Sequence, residues 1–314
     1  MMSAPHIDKL REETGAMQKQ TKLRVLVLGT TGMLGSTIFR ILSADNRIET
    51  FGTLRAAHGV SRFAHHLHKA LIPNIQVDNE SGVLAAFAHA KPDIVINCIG
   101  IIKQLPAAYN HLESLAINSI LPHRLAKYCG LFGARLIHFS TDCVFSGKSG
   151  QYLETDPCDA TDLYGRSKLL GEVDYEHALT LRTSIIGHEL TSNNSLIDWF
   201  LSQTDEVRGF RKAIFSGMPT VEIARIVRDI VIPNPSLRGL YHLSVDPIDK
   251  NELLKLVSKT YSKDIVITPD DEFVIDRSLN SERFRTATGF GPKPWPELIL
   301  DMHADYMAVR RDAM

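Results

Sequence analysis

Tyr164 and Lys168, in the run Tyr164-Gly-Arg-Ser-Lys168, are the residues whose types and spacing most directly suggest chemistry. A helix places residues four apart on one face, so the phenol and the ammonium can enter a common cleft. A cation beside a phenol favours the phenolate and draws its pKa down from about 10. A phenol tuned in that way can act as a general acid near neutral pH. Upstream, Gly29-Thr-Thr-Gly32-Met-Leu-Gly35 carries a second chemistry. Glycines three apart let the backbone approach a pyrophosphate, which then rests on the N–H groups that open the following helix. A dinucleotide coenzyme is the ligand this loop suits.

Those residues need elements to hold them. Leu23–Leu28 is an apolar run short enough for a buried parallel strand, and it feeds into the glycine loop. Ser36 to Leu42 then reads as an amphipathic helix. Further strands are predicted at Ile48–Leu54, Ile75–Val77, Ile94–Cys98, Leu136–Ser140 and Leu179–Arg182, with helices at Ser81–His89, Pro106–Phe132 and Tyr164–Tyr175. This alternation predicts an α/β fold, a doubly wound parallel sheet. In open sheets of that kind, ligands bind outside the carboxyl ends of the strands. The glycine loop, Asn97-Cys-Ile-Gly100, Ser140-Thr-Asp142 and Thr183-Ser184 all follow predicted strand ends and would line one crevice.

After Thr183 the rhythm becomes irregular. Helices are expected at Ser195–Gln203 and Val221–Ile232, the second capped by Thr220 after Pro219. A strand at Leu240–Ser244 and a helix at Lys250–Tyr261 follow. The expected organisation is a polar tail over 1–22 (with room for a short helix from Asp8 to Gln18), a dinucleotide-binding domain over 23–182, and a mainly substrate-binding lobe over 183–314. Residues 216–245 are expected to return to the sheet.

Composition narrows the function classes. A hydrophobic share of 44% and a charged share of 23% are those of a soluble globular protein. The formal net charge of −1 lacks the strongly basic face that nucleic acid requires. No apolar run approaches the ~20 residues needed to span a bilayer, and residues 1–22 lack the apolar core of a secretory signal. Cys98, Cys129, Cys143 and Cys158 form no C-x-x-C pair, which suits reduced thiols in a cytoplasmic protein. His65, His66 and His68 lack an i, i+4 pair and read as a solvated face, so no metal is expected.

Taken together these motifs resemble the short-chain dehydrogenase/reductase superfamily, in its extended branch. Within it the chain is similar to the dTDP-4-dehydrorhamnose reductase group of nucleotide-sugar enzymes, from Leu23 to about Phe290. Ala116-Ile-Asn118, the run from Ser140 to Gly147, Leu181-Arg-Thr-Ser184, Gly217-Met-Pro-Thr220 and Gly239-Leu-Tyr-His-Leu-Ser244 carry the likeness beside the glycine loop and the Tyr–Lys pair. Cys143 stands where an aromatic is usual, and Gly100-Ile-Ile-Lys-Gln104 departs from the group's loop, so the sugar can differ from 4-keto-rhamnose.

The resemblance implies a Rossmann domain with a smaller C-terminal substrate-binding lobe and hydride transfer between a nicotinamide and a sugar carbon. Tyr164 would supply the proton, Lys168 would lower its pKa and hold the nicotinamide ribose, and Thr141 would hydrogen-bond the carbonyl oxygen. Asn118 would support a proton-relay water. Gly29, Thr31, Gly32, Met33, Leu34, Gly35, Arg55, Asp78, Cys98 and Gly100 would bind the coenzyme with Tyr164 and Lys168. Lys103, Gln104, Thr141, Thr183, Thr220 and Arg277 would face the nucleotide sugar. Phe51-Gly-Thr-Leu-Arg55 ends the second strand without a carboxylate for the ribose 2′-OH of NAD. A guanidinium there can hold a 2′-phosphate, which favours NADPH over NADH, with Arg62 as a second candidate. Two other functions share this framework: a nucleotide-sugar epimerase or dehydratase that retains its coenzyme, and a non-catalytic regulatory subunit of the kind found in methionine adenosyltransferase. A homodimer is left open.

Overall fold

A computed structural model describes residues 22–103, 110–190 and 195–312. The expected helix at Asp8–Gln18 and the position of Gln104 lie outside them. Leu23–Leu28 forms β1, and its alternate side chains enter two different cores. Val25 and Val27 join one cluster while Leu26 and Leu28 join the other, as the two-residue period of a strand dictates. A strand buried on both faces belongs at the centre of a sheet.

Around β1 stand β2 (Ile48–Thr53), β3 (Leu71–Ile72), β4 (Ile94–Asn97), β5 (Arg135–Thr141) and β6 (Ala178–Thr183). A seventh strand, β11 (Gly239–His242), lies beside β6. All pairings are parallel, in the order β11-β6-β5-β4-β1-β2-β3. This is the doubly wound Rossmann arrangement. Helix α1 (Met33–Ser43) packs on one face, and α2 (Glu80–Ala90) with α3 (111–132) on the other.

Several expected elements shift. The apolar stretch Ile75–Val77 is not a strand: Leu71–Ile72 takes the edge position by pairing with Gly52–Thr53. Ile72, Ile75 and Val77 all pack against the second core, so burial, rather than pairing, explains the apolar signal there. Helix α3 contains a π-helical stretch at Leu115–Ile120, and its described portion is capped by Asn110. Helix α4 (Leu163–Leu170) stops well before Tyr175. A Cβ on Gly171 would lie 1.9 Å from the Asn118 carbonyl oxygen, so the chain leaves the helix where it meets α3.

The second half supplies β7 (Ile185–Ile186), α5 (Leu196–Ser202), β8 (Glu206–Phe210), β9 (Ala213–Phe215) and β10 (Met218–Pro219). Helix α6 (Thr220–Ile226) and a π-helical turn (Val227–Val231) precede β11. Pro219, not Thr220, takes the cap position of α6, with no side-chain cap bond. Beyond β11 come β12 (Ile248–Asp249), α7 (Lys250–Thr260), β13 (Val266–Asp270), β14 (Ile275–Asp276), α8 (Glu282–Thr288) and α9 (Trp295–Asp312). Strands β12, β9 and β14 form a small sheet beside the carboxyl end of β5, where Arg277 reaches Phe145. Among the described residues no helix is long and apolar enough to cross a membrane.

Candidate active site

The glycine loop closes tightly between β1 and α1. Gly29 has φ +83°, a left-handed conformation that favours glycine. A Cβ on Gly35 would sit 2.2 Å from the Gly29 carbonyl oxygen, so only a bare backbone allows this approach. The end of β2 holds the loop: the Thr30 N–H and hydroxyl both donate to the Thr53 carbonyl, at 3.2 and 2.8 Å. Helix α1 starts after Gly32 with no side-chain cap and no acidic residue in its first turn. Its leading N–H groups and positive dipole end suit the pyrophosphate of a dinucleotide. Thr31 and Met33 are half-buried and Leu34 is buried. The β-carbon of Cys98 faces Gly35 just beyond the end of β4, which stops at Asn97, one residue short of the expected end. Burial pushes that thiol above its usual pKa, which makes it a poor nucleophile.

Arg55 and Arg62 are exposed on the β2 side of the loop. Asp78 does not close a strand: it lies in a turn six residues past β3, exposed, and Asn79 rather than Asp78 caps α2.

Two strands from β1 across the sheet, α4 brings the phenol to β5. Asp162 caps α4 by accepting from the Gly165 N–H at 2.9 Å. A Cβ on Gly165 would lie 2.3 Å from the Cys143 carbonyl, so the helix sits directly on the turn that follows β5. There the hydroxyls of Thr141 and Tyr164 come close together. Thr141 Oγ1 also accepts from the Cys143 N–H and donates to Asp142, each at 3.1 Å. Ser140 points the other way, donating to Glu172 at 2.7 Å.

Lys168 is buried and donates to the Phe139 carbonyl at 2.7 Å. Burial lowers its pKa to about 8, against the opposing pull of Glu172 and Cys98. The expected depression of the phenol does not occur. Burial, with Cys143, Asp142 and Asp162 nearby, pushes Tyr164 upward, and only the Thr141 hydrogen bond opposes it. In water-poor surroundings beside carboxylates the neutral phenol wins.

Asn118, 1% exposed, ties this half of the site together. Its amide accepts from Ile101 N–H at 2.9 Å and donates to Ile101 O at 3.0 Å and Ser167 Oγ at 3.1 Å. It thereby fixes the loop after β4, Gly100 included, to the helix carrying Tyr164. Lys103 follows on that loop, 2.9 Å from Asp162 and 5.7 Å from the Tyr164 ring centroid. Arg277 donates to the Phe145 carbonyl at 2.9 Å and approaches Cys143 Sγ at 3.7 Å. Thr183 pairs in register with Thr141 and is buried.

Thr220 is not brought to this cluster: its hydroxyl is buried against Thr37 of α1, at 3.2 Å. Arg208 and Arg211 are engaged with Asp270 and Asp271 on the surface of the second half. Two groups escaped the sequence reading. Lys250 opens α7, with its ammonium over the Phe215 ring and its charge acting on Asp142 and Cys143. Glu172 is clamped by Arg182, with both guanidinium contacts at 2.7 Å. Neither belongs to a short motif with a mechanism; only the folded topology brings them close.

The family model described as RmlD substrate binding domain matches residues 23–264. The spore coat polysaccharide biosynthesis protein SpsK of Bacillus subtilis (strain 168) is 29% identical over 236 residues, covering 70% of this chain and 73% of that protein. A dTDP-4-dehydrorhamnose reductase of Aggregatibacter actinomycetemcomitans is 22% identical, covering 90% of this chain and 98% of that protein. Methionine adenosyltransferase 2 subunit beta of Danio rerio is 27% identical, covering 76% and 74%. Among solved structures, dTDP-4-dehydrorhamnose reductase from Bacillus anthracis in complex with NADP superposes with a TM-score of 0.71 at 20% identity. That likeness covers 91% of this chain and 100% of that one.

Proposed function

Because this chain belongs to the RmlD substrate binding domain family, we propose that it is an NADPH-dependent reductase of a nucleotide-activated 4-keto-6-deoxy sugar. The observation that carries the reading is Tyr164 on one helix with Lys168, its hydroxyl close to that of Thr141 at the end of β5. The similarity to proteins named dTDP-4-dehydrorhamnose reductase supports the substrate class.

Gly29, Gly32 and Gly35 would hold the pyrophosphate at the start of α1. Arg55 would take a 2′-phosphate, and Lys168 the nicotinamide ribose. A dihydronicotinamide bound there supplies the hydride. Thr141 and Tyr164 would both contact the sugar carbonyl oxygen. As that oxygen gains charge, Tyr164 releases its proton to it, and the Lys168 ammonium stabilises the phenolate left behind. A phenol held neutral by burial is the correct starting form for an acid in this direction.

The test is to incubate the protein with dTDP-4-keto-6-deoxyglucose and follow nicotinamide absorbance, with NADPH and NADH side by side. Consumption of NADPH in preference to NADH is expected. Tyr164→Phe should lower the rate by about 100-fold or more while leaving NADPH affinity within a few-fold. Full activity in that variant would remove the proposed acid. A second reading rests on the likeness to methionine adenosyltransferase 2 subunit beta: coenzyme binding without turnover of any keto sugar would favour a regulatory role.

A further inference from the structure

Lys250 is the first residue of α7, and its ammonium lies 4.4 Å from the centroid of the Phe215 ring. Among the described residues it makes no hydrogen bond or ion pair. Its fixed position comes from the small sheet. Asp249 of β12 and Asp276 of β14 both pair with Ile214 of β9, so Lys250 and Arg277 leave the sheet on opposite sides of one strand. Arg277 approaches Cys143 Sγ at 3.7 Å. The Lys250 charge also acts on Asp142 and Cys143, directly after Thr141, and the Lys103 charge on Cys143.

Three cations thus act on the turn after Thr141, beside two carboxylates. Asp162 is engaged by Lys103, and Asp142 is buried, with its pKa raised by that burial. Burial also lowers the Lys250 pKa, to about 8, against the opposing pull of Asp142 and Cys143.

We infer that Lys250 is a substrate-binding residue, which takes an anionic oxygen group of the nucleotide sugar beside Cys143. The inference rests on the nucleotide-sugar reading above and adds a specificity determinant to it. The group is either a phosphate of the nucleotide or a carboxylate on the sugar; both offer oxygens that an unpaired ammonium can bond.

The test is equilibrium binding by calorimetry to the full chain saturated with NADP, with dTDP, UDP-glucose and UDP-glucuronate as probes. Lys250→Met should weaken binding by about tenfold or more, the usual worth of a charge-assisted bond. Lys250→Arg should recover part of it, and affinity for NADP should be unchanged in both variants. A loss for all bound probes identifies the phosphate. A loss confined to UDP-glucuronate identifies a sugar carboxylate. Native affinity of Lys250→Met for every probe overturns the inference alone. Failure of the unaltered protein to bind any probe overturns both it and the nucleotide-sugar reading.

Discussion

At the scale of single residues, the role proposed for Lys168 makes its protonation the quantity on which rate should depend most sharply. Its pKa is lowered to about 8 because burial penalises the ammonium more than Glu172 and Cys98 favour it. The sign follows directly: below that value the ammonium is charged and can stabilise the Tyr164 phenolate, and above it the proton is lost. We therefore expect kcat/KM to fall about tenfold per pH unit above pH ~8. A profile that stays flat to about pH 10, the range of an exposed lysine, would show that Lys168 does not act through its charge. The phenol itself taught a related lesson. Sequence spacing was enough to place Tyr164 and Lys168 on one helix face, but the direction of the Tyr164 shift depended on burial and on Asp142 and Asp162. No local pattern reports burial of that kind.

At the scale of elements, the strand–turn–helix unit around Gly35 sets opposing effects against each other. Alanine is favoured over glycine inside a helix by about 1 kcal/mol. A Cβ at Gly35, however, would lie 2.2 Å from the Gly29 carbonyl oxygen, a backbone atom that cannot swing aside. The clash outweighs the propensity gain. Gly35→Ala is expected to lower NADPH affinity at least about tenfold by moving the start of α1 away from the loop; unchanged binding would place the pyrophosphate elsewhere. β1, the glycine loop and α1 were legible in the sequence because each carries a strong local signal. The end of α4 was not. Its periodicity continues past Leu170, and the helix stops because Gly171 runs against the Asn118 carbonyl on a neighbouring helix. The edge strand was misplaced for a similar reason: Ile75 and Val77 are apolar because they cover the core, not because they pair.

At the scale of the whole molecule, Arg182 and Glu172 join the sheet to the segment that follows the Tyr164 helix. Arg182 is 3% exposed and also contacts His242 of β11 at 3.2 Å. Removing one partner of a buried pair leaves the other charge unsatisfied, typically at about 3–5 kcal/mol. Glu172→Gln should therefore destabilise the protein by about that amount in a denaturant titration; a change below about 1 kcal/mol would mean that Arg182 finds another partner. The same long-range assembly brings Lys250 near the turn after Thr141 from far along the chain, which is why no local pattern pointed to it.

Transfer of deuterium tests the central claim most directly. NADPH carrying deuterium at both C4 positions of the nicotinamide ring would be incubated with dTDP-4-keto-6-deoxyglucose and the sugar product weighed by mass spectrometry. A reductase working through Tyr164 should deliver one label to the sugar and release one equivalent of NADP. Turnover of the sugar with the label left on the coenzyme would contradict the account and assign the chain to chemistry without net reduction.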